Sequence, residues 1–144
     1  MKKYELTTET KDYFGKTLYR ICALTSFGFI KAGELGGWIE KEENLAQEGD
    51  AWVSDSARVF DNARVYGNAW VFDDAQVSSN AEVFGNARVY GNAQVYGTAW
   101  VSGNARVFGN AEVLGEARVF GTAWACDTAW VCGNARVSSK VRVR

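Results

Sequence analysis

The chain has 144 residues, of which 47% are hydrophobic and 14% aromatic, so it can build one packed domain. Its formal charge of −1 excludes a global electrostatic field that would recruit nucleic acid or an anionic membrane. No apolar run reaches the length of a membrane span, and the first residues lack the apolar segment of a signal peptide. We therefore expect a soluble, cytoplasmic protein without a membrane partner.

Residues 1–37 differ in composition and residue pattern from the rest of the chain, and they predict a β-rich N-terminal cap. Lys3–Thr7 and Thr17–Leu24 are rich in strand-forming residues, and glycines near residue 36 break the chain into turns. A solenoid needs its first coil covered, because open strand edges invite aggregation. We expect the apolar side chains of this region to lie over that coil: Phe27, Phe29, Ile30, Leu35 and Trp38.

From Ala51 to Lys140 the chain repeats one six-residue phrase. Each phrase opens with Ala, and Val follows two residues later with one exception, Ala125. In a strand these two residues point inward and the residue between them points outward. Gly or Asp usually follows near the end of the phrase and suits a left-handed turn. Three such sides give about eighteen residues per coil, which predicts an all-β, three-sided parallel β-helix of about five to six coils.

We place the β-helix domain at residues 38–144, with regular repeats over residues 51–140. Ile39 and Leu45 fall in the Ala register when counted back from Ala51, so the first, imperfect coil is predicted to begin near Trp38. At the other end, Val141 and Val143 keep the inward spacing. The outward residues there are basic and either protect the last strand from pairing or form a nucleic-acid patch: Arg136, Lys140, Arg142 and Arg144.

The phrase A-x-V-x-[GD]-[NT] resembles the hexapeptide repeat of left-handed β-helix proteins. The segment from Lys31 to Val53, KAGELGGWIEKEENLAQEGDAWV, resembles the entry segment of YdcK-like β-helix proteins. Members of that family are often encoded by phages and prophages and are commonly labelled acyltransferases. The resemblance implies left-handed coiling, and related β-helices are commonly homotrimers.

The residues that could carry chemistry are few. Hexapeptide acyltransferases generally use a histidine as general base, and this chain has no histidine and no long loop between its repeats. The carboxylates Glu82, Glu112 and Glu116 are better explained as outer-face charges, and those near residues 34–43 as a solvated face. Cys22, Cys126 and Cys132 are expected to be free thiols that fill space. We therefore predict that the chain is not an enzyme and holds no metal and no cofactor.

The outward residues, grouped at a spacing of about eighteen, point instead to binding. One column lacks both Glu and Gln and is bordered by aromatic residues that follow Val. We predict this column as a binding surface, because Trp and Arg dominate interface energetics: Trp52, Trp70, Phe72, Arg88, Tyr90, Arg106, Phe108 and Trp124.

The partner of this surface is predicted to be another protein or a second copy of the chain, for example in a homotrimer. Such a module suits a phage- or prophage-type accessory protein, including an inhibitor of a host system. Three alternatives stay open: the aromatic and Arg side chains only stabilise the solenoid, they bind nucleic acid or carbohydrate, or the chain is a relative of the hexapeptide acyltransferases.

Overall fold

The structure is a computed structural model that describes residues 2–138 and 142–143. Its strands are two long ones, one of five residues, and many of two residues. They are β1 Tyr4–Tyr13, β2 Lys16–Ala23, β3 Leu35–Ile39, β4 Trp52–Val53, β5 Arg58–Val59, β6 Arg64–Val65, β7 Trp70–Val71, β8 Gln76–Val77, β9 Glu82–Val83, β10 Arg88–Val89, β11 Gln94–Val95, β12 Trp100–Val101, β13 Arg106–Val107, β14 Glu112–Val113, β15 Arg118–Val119, β16 Trp124–Ala125, β17 Trp130–Val131, β18 Arg136–Val137 and β19 Arg142–Val143. A short 3₁₀ helix spans Glu42–Asn44.

The two-residue strands stack into three parallel sheets, one for each side of a solenoid. The first sheet has the order β1-β2-β3-β5-β8-β11-β14-β17, the second β4-β7-β10-β13-β16-β19, and the third β6-β9-β12-β15-β18. Val65, Val83 and Val101, which come from three successive coils, stack in one column. The repeat Ala and Val residues from Ala51 to Val131 are buried and form the core. The predicted all-β, three-sided parallel β-helix is confirmed.

The corners of the solenoid are turns in left-handed backbone conformation. The fifth residue of every phrase from Asp55 to Gly133 has a positive φ, for example +57° at Asp73 and +67° at Gly85. Coils stack so closely here that a Cβ added to Gly85 would lie 2.9 Å from the backbone nitrogen of Gly103. At three corners occupied by Asp the carboxylate accepts a hydrogen bond from the next coil: Asp55, Asp61 and Asp73, the last from the Gly91 N–H at 3.1 Å. This closely packed corner position therefore accommodates either glycine, which has no Cβ, or Asp, whose carboxylate gains a hydrogen bond.

The cap is continuous with the first sheet. Strands β1 and β2 form an antiparallel hairpin, β2 pairs antiparallel with β3, and β3 pairs parallel with β5 of the solenoid. The boundary predicted between residues 37 and 38 therefore falls inside β3. Because the hairpin extends a solenoid sheet, the edge of that sheet is paired at this end instead of exposed.

The first coil is longer than the others, which corrects our prediction of its register. Ile39 pairs with Val59 and Leu45 with Val65, steps of 20 residues, whereas Trp52 pairs with Trp70 at a step of 18. Ile39 and Leu45 therefore occupy the Val register and not the Ala register. Trp38 itself pairs with Arg58 of the next coil, and the start of the β-helix domain at residue 38 stays a prediction.

The apolar residues of the cap divide into two groups. Ile30 and Trp38 are buried and Phe27 packs against the core, as expected. Phe29 and Leu35 are 83% and 48% exposed, so the prediction that they cover the first coil is wrong. Phe29 lies at the tip of a tight turn in which the Phe27 and Ile30 backbones pair with each other, and this turn holds its ring away from the core.

Two buried polar residues join the elements at the N-terminal end: Asn44 links the first coil to the second, and Lys3 links the cap to the first coil. The Asn44 side chain accepts hydrogen bonds from the Glu40 and Lys41 N–H groups and donates to the carbonyls of Asp61 and Ala63. The Lys3 ammonium donates to the Ala51 carbonyl at 2.7 Å and to the Gly49 carbonyl at 3.2 Å. These bonds satisfy carbonyl groups that would otherwise be buried without partners.

The structure describes only some of the residues for which we made predictions at the C-terminal strand. Arg136 and Arg142 are exposed, and Val143 packs against the core. Lys140, Val141 and Arg144 lie outside the described residues. Cys22, Cys126 and Cys132 are free thiols, of which Cys126 is buried and Cys132 exposed.

Candidate binding face on the second sheet

The predicted column of outward residues lies on the second sheet in the predicted order. Trp70 pairs with Trp52 on one side and Arg88 on the other, and Arg106 pairs with Arg88 and Trp124. The constant 18-residue step of the regular coils brings these residues together, because each side chain lies above its counterpart in the preceding coil.

Trp52 departs from the predicted column because it is not on the surface. Its side chain is only 1% exposed, and the rings of Tyr4 and Phe27 pack against it edge-on at centroid distances of 6.2 Å and 5.3 Å. The cap thus converts the first outward position of this sheet into core. Trp52 cannot contact a partner in this arrangement, and the candidate face begins at Trp70.

Beside the column, the aromatic residues that follow Val form a ladder. Phe72, Tyr90 and Phe108 stack with ring centroids 4.8 Å and 5.0 Å apart and planes within 6°. Trp70 meets the ring of Phe72 edge-on at 6.2 Å, and Trp124 meets that of Phe108 at 5.5 Å. All five rings are half-buried, which gives a continuous aromatic strip along the solenoid.

Arginine guanidinium groups lie over the indole rings of this strip. The Arg88 guanidinium is 5.3 Å from the Trp70 ring centroid, and that of Arg142 is 4.2 Å from the centroid of Trp124. Contacts of this kind contribute roughly 0.5–1 kcal/mol at exposed sites. Arg88 is exposed and Arg106 half-buried, so the face presents cations and aromatic rings together. We call the surface of Trp70, Phe72, Arg88, Tyr90, Arg106, Phe108 and Trp124 the aromatic strip.

A second site, on the third sheet, was missed by the sequence analysis. A cleft of about 260 Å³ is lined by Glu43, Ala46, Arg64, Val65, Tyr66 and Glu82. In it the Tyr66 hydroxyl donates a hydrogen bond of 2.6 Å to the Glu82 carboxylate, and burial followed by this bond raises the pKa of Tyr66 to about 12. The sequence offered a signal, since Tyr precedes Glu by 16 residues and the same spacing recurs at Tyr96 and Glu112.

The Tyr96–Glu112 pair has the same geometry on the first sheet. The Tyr96 hydroxyl donates to the Glu112 carboxylate at 2.7 Å, and this hydrogen bond with burial raises the pKa of Tyr96 to about 12. Of the two pairs, Tyr66–Glu82 lines the cleft with Arg64. Both pairs hold the Tyr as a hydrogen-bond donor near neutral pH, because its hydroxyl stays protonated.

Large apolar side chains are also exposed on the other two sheets. Trp130 on the first sheet is 67% exposed, and Trp100 on the third is 37% exposed with the Arg118 guanidinium 3.9 Å from its ring centroid. Aromatic–arginine packing is therefore general to this solenoid. The second sheet differs in carrying the longest ladder of stacked rings in the described part of the chain. No helix among the described residues is long and apolar enough to cross a membrane.

The fold is that of a hexapeptide-type β-solenoid. Its outward side chains stack in columns, and its corner residues have the left-handed backbone conformation. Residues 57–73 and 81–97 match the YdcK β-solenoid repeat family, and the resemblance to YdcK-like β-helix proteins is thereby confirmed. Among curated proteins, the chain is 36% identical over 63 residues to a protein of Escherichia coli (strain K12) named "Uncharacterized acetyltransferase YdcK". This alignment covers 38% of the chain and 19% of that protein, so the chain spans about a fifth of the relative's length.

This comparison overturns our prediction that the chain is not an enzyme. The relative is named an acetyltransferase, which points to an enzyme family. The prediction was wrong because it relied on the missing histidine. A carboxylate or a tyrosine hydroxyl can also act in acid–base chemistry, and the Tyr66–Glu82 pair supplies both in one cleft.

Proposed function

We propose that the chain acts as a binding protein whose contact surface is the aromatic strip, and that the contact is with a second copy of the chain. The observation that carries the proposal is the strip itself, five half-buried rings bordered by Arg88 and Arg106. Soluble proteins rarely expose contiguous apolar surface of this kind without a partner.

The chemistry of the strip favours a copy of itself. It carries both halves of a cation–π contact, a guanidinium and an indole, and within one chain these groups already pack as Arg88 on Trp70. The same pairing between two chains would bury Trp and Arg, which are the residues that dominate interface energetics. A homotrimer is one assembly that fits this proposal.

Sedimentation velocity with a charge-reversal variant tests this function. We expect the wild type to be oligomeric at tens of micromolar and Arg106→Glu to be monomeric, because the new carboxylate would be buried against the aromatic rings. Arg136→Glu, at an exposed position on the third sheet, is the matched control and should stay oligomeric. A monomeric wild type, or equal dissociation by both variants, would contradict self-association through the strip.

A different protein as partner is the other outcome of this test. A monomeric wild type that captures a partner, and loses it on Arg106→Glu, would assign the strip to that partner instead. The accessory role of phage or prophage type, the inhibition of a host system and the cytoplasmic location remain predictions from the sequence.

A second candidate function, acyl transfer, is supported by the name of the relative and by the Tyr66–Glu82 cleft. In this proposal an amine or hydroxyl acceptor attacks the carbonyl of an acyl thioester, Glu82 takes the acceptor's proton, and the thiolate leaves. Tyr66 orients the Glu82 carboxylate through its hydrogen bond. Arg64, on the same cleft wall, is placed to attract a negatively charged donor.

Release of free thiol from acetyl-coenzyme A in the presence of amine and hydroxyl acceptors tests this second function. We expect Glu82→Gln to lower the rate at least a hundredfold, because the amide cannot accept the proton. Glu112→Gln removes the same carboxylate from the equivalent Tyr–Glu pair outside the cleft and should leave the rate unchanged. The absence of thiol release by the wild type, or equal loss in both variants, would rule out this site.

A further inference from the structure

The turn that carries Phe29 forms one wall of a cleft beside the aromatic strip. The backbones of Phe27 and Ile30 exchange hydrogen bonds of 3.0 Å and 2.8 Å, and Gly28 at φ +51° closes the turn. Phe29 stands at its tip with 83% of its surface exposed, and its ring meets Trp70 edge-on at a centroid distance of 6.2 Å. A ring exposed at the tip of a hydrogen-bonded turn is available for contact and contributes little to the core.

Phe29 and Trp70 form the apolar walls of a cleft of about 230 Å³. Its polar lining comes from the first three coils and comprises Asp50, Asn68, Asn86 and Arg88. The Asp50 backbone N–H donates to the Asn68 side-chain oxygen at 3.3 Å, which ties two of these residues together. Apolar walls with a few convergent polar groups are the usual composition of a small-molecule site.

We infer that this cleft binds a single neutral sugar ring. Its one carboxylate, Asp50, and its one guanidinium, Arg88, have opposite charges, so the cleft has no net preference for an anion or a cation. The carboxylate accepts hydrogen bonds, the guanidinium donates them, and the two amides do both. A ligand with several hydroxyl groups matches this set, because each hydroxyl both donates and accepts.

The aromatic walls and the size of the cleft support the same ligand class. The face of an aromatic ring is negative and attracts the C–H groups that line one side of a sugar ring. The volume is below the range of about 300–1,000 Å³ that is typical of sites for drug-sized ligands, which favours one ring over an extended chain. Phe29, which is 83% exposed, and the indole of Trp70 line the cleft with their ring planes at 88° to each other.

This inference goes beyond the proposed self-association and does not depend on it. The cleft shares Trp70 and Arg88 with the aromatic strip, whereas Phe29 and Asp50 lie outside the strip. Variants at Phe29 and Asp50 therefore change the cleft and leave every residue of the strip in place. If Arg106→Glu does not change the oligomeric state, the proposed sugar site is unaffected. If Phe29→Ala does not weaken sugar binding, the proposed self-association through the strip is unaffected.

Saturation-transfer NMR of the full chain with the methyl glycosides of glucose, galactose, mannose and N-acetylglucosamine tests the site. We expect at least one glycoside to bind the wild type, and Phe29→Ala and Asp50→Asn each to weaken its binding at least tenfold. Phe14→Ala is the matched control, because Phe14 is an 89% exposed phenylalanine at the tip of the β1–β2 hairpin. Its binding should equal that of the wild type.

Two results would overturn the inference. One is the absence of saturation transfer to all four glycosides with folded wild-type protein. The other is equal weakening by Phe14→Ala and Phe29→Ala, which would show that exposed rings on this chain contact sugars without a site. Far-ultraviolet circular dichroism of each variant checks that the solenoid is intact.

Discussion

At the scale of single residues, Lys3 is a buried cationic side chain whose protonation is linked to folding. It is 4% exposed, its ammonium lies 4.7 Å from the Phe27 ring centroid, and burial lowers its pKa from 10.5 to about 8 while the charge of Asp50 opposes that shift. Because the folded pKa lies below the unfolded one, the unfolded chain binds more protons between these two values. Lys3 therefore makes the free energy of unfolding rise as pH increases from about 8 towards 10.5.

We expect Lys3→Met to remove most of this rise. The urea midpoint of the wild type should increase between about pH 7.5 and pH 9.5, whereas that of the variant should increase far less, because methionine does not titrate and only the pKa of Lys11 is then still lowered by burial among the described lysines. Lys31→Met, at an exposed position, is the control and should keep the rise of the wild type. The series ends below pH 10 because burial raises the pKa of Tyr4, whose stabilising contribution is lost once the unfolded phenol ionises. A rise of wild-type size in Lys3→Met would assign it to another group.

At the scale of elements, the corner turns set the limits on substitution. Gly85 and Gly133 have similar backbones, φ +67° and +61°, but a Cβ on Gly85 would lie 2.9 Å from the Gly103 nitrogen while one on Gly133 meets nothing within 4 Å. We expect Gly133→Ala to cost about 1 kcal/mol for the left-handed conformation alone. Gly85→Ala should cost about 3 kcal/mol because the coils must also separate. Urea denaturation measures both losses.

A third variant isolates the contribution of the corner hydrogen bond, because Asp adds the same Cβ as Ala at the same backbone conformation. Gly85→Asp should be less destabilising than Gly85→Ala, since Asp61 and Asp73 show that a corner carboxylate can accept a hydrogen bond from the next coil at 3.2 Å and 3.1 Å. Equal losses for Gly85→Ala and Gly133→Ala would contradict the crowding argument.

The repeat explains which elements the sequence could predict. Ala and Val at a spacing of two define the inner face, and the constant step of 18 residues places Trp70, Arg88 and Arg106 in one column. The first coil breaks that step, and the sequence carries no mark of the two additional residues that move Ile39 and Leu45 into the Val register. The counting argument failed there because register depends on pairing between strands.

The candidate sites depended more on contacts that are distant in sequence. Trp52 and Trp70 occupy equivalent places in the repeat, yet Trp52 is core because Tyr4 and Phe27 pack on it. The sugar cleft likewise needs Phe29 to reach Trp70 across the junction between cap and solenoid. Periodicity gives the position of a residue in the solenoid, but it contains no information about what the non-repeating cap covers.

At the scale of the whole molecule, the solenoid behaves as a one-dimensional stack in which each coil contacts its neighbours. The N-terminal end is covered by the cap, with Lys3, Tyr4 and Asn44 bonded to the first coils. Towards the other end, Ala135 is exposed and Val137 only half-buried, although both occupy inward positions of the repeat. Local stability around Ala135 and Val137 should therefore be lower than in the preceding coils, because fewer buried contacts support these two residues.

Trp52→Ala should lower the local stability at the N-terminal end of the solenoid. The substitution removes the ring on which Tyr4 and Phe27 pack, at a cost of about 3–5 kcal/mol, and the loss should be largest in the coils next to the cap. Hydrogen exchange followed by mass spectrometry should show faster exchange in β4 and β5, with β12–β14 close to wild type. Trp52→Phe is the control, since it keeps an aromatic ring and removes an indole N–H that has no hydrogen-bond partner among the described residues. Uniformly faster exchange along all coils in Trp52→Ala would mean that cap and solenoid unfold as one cooperative unit.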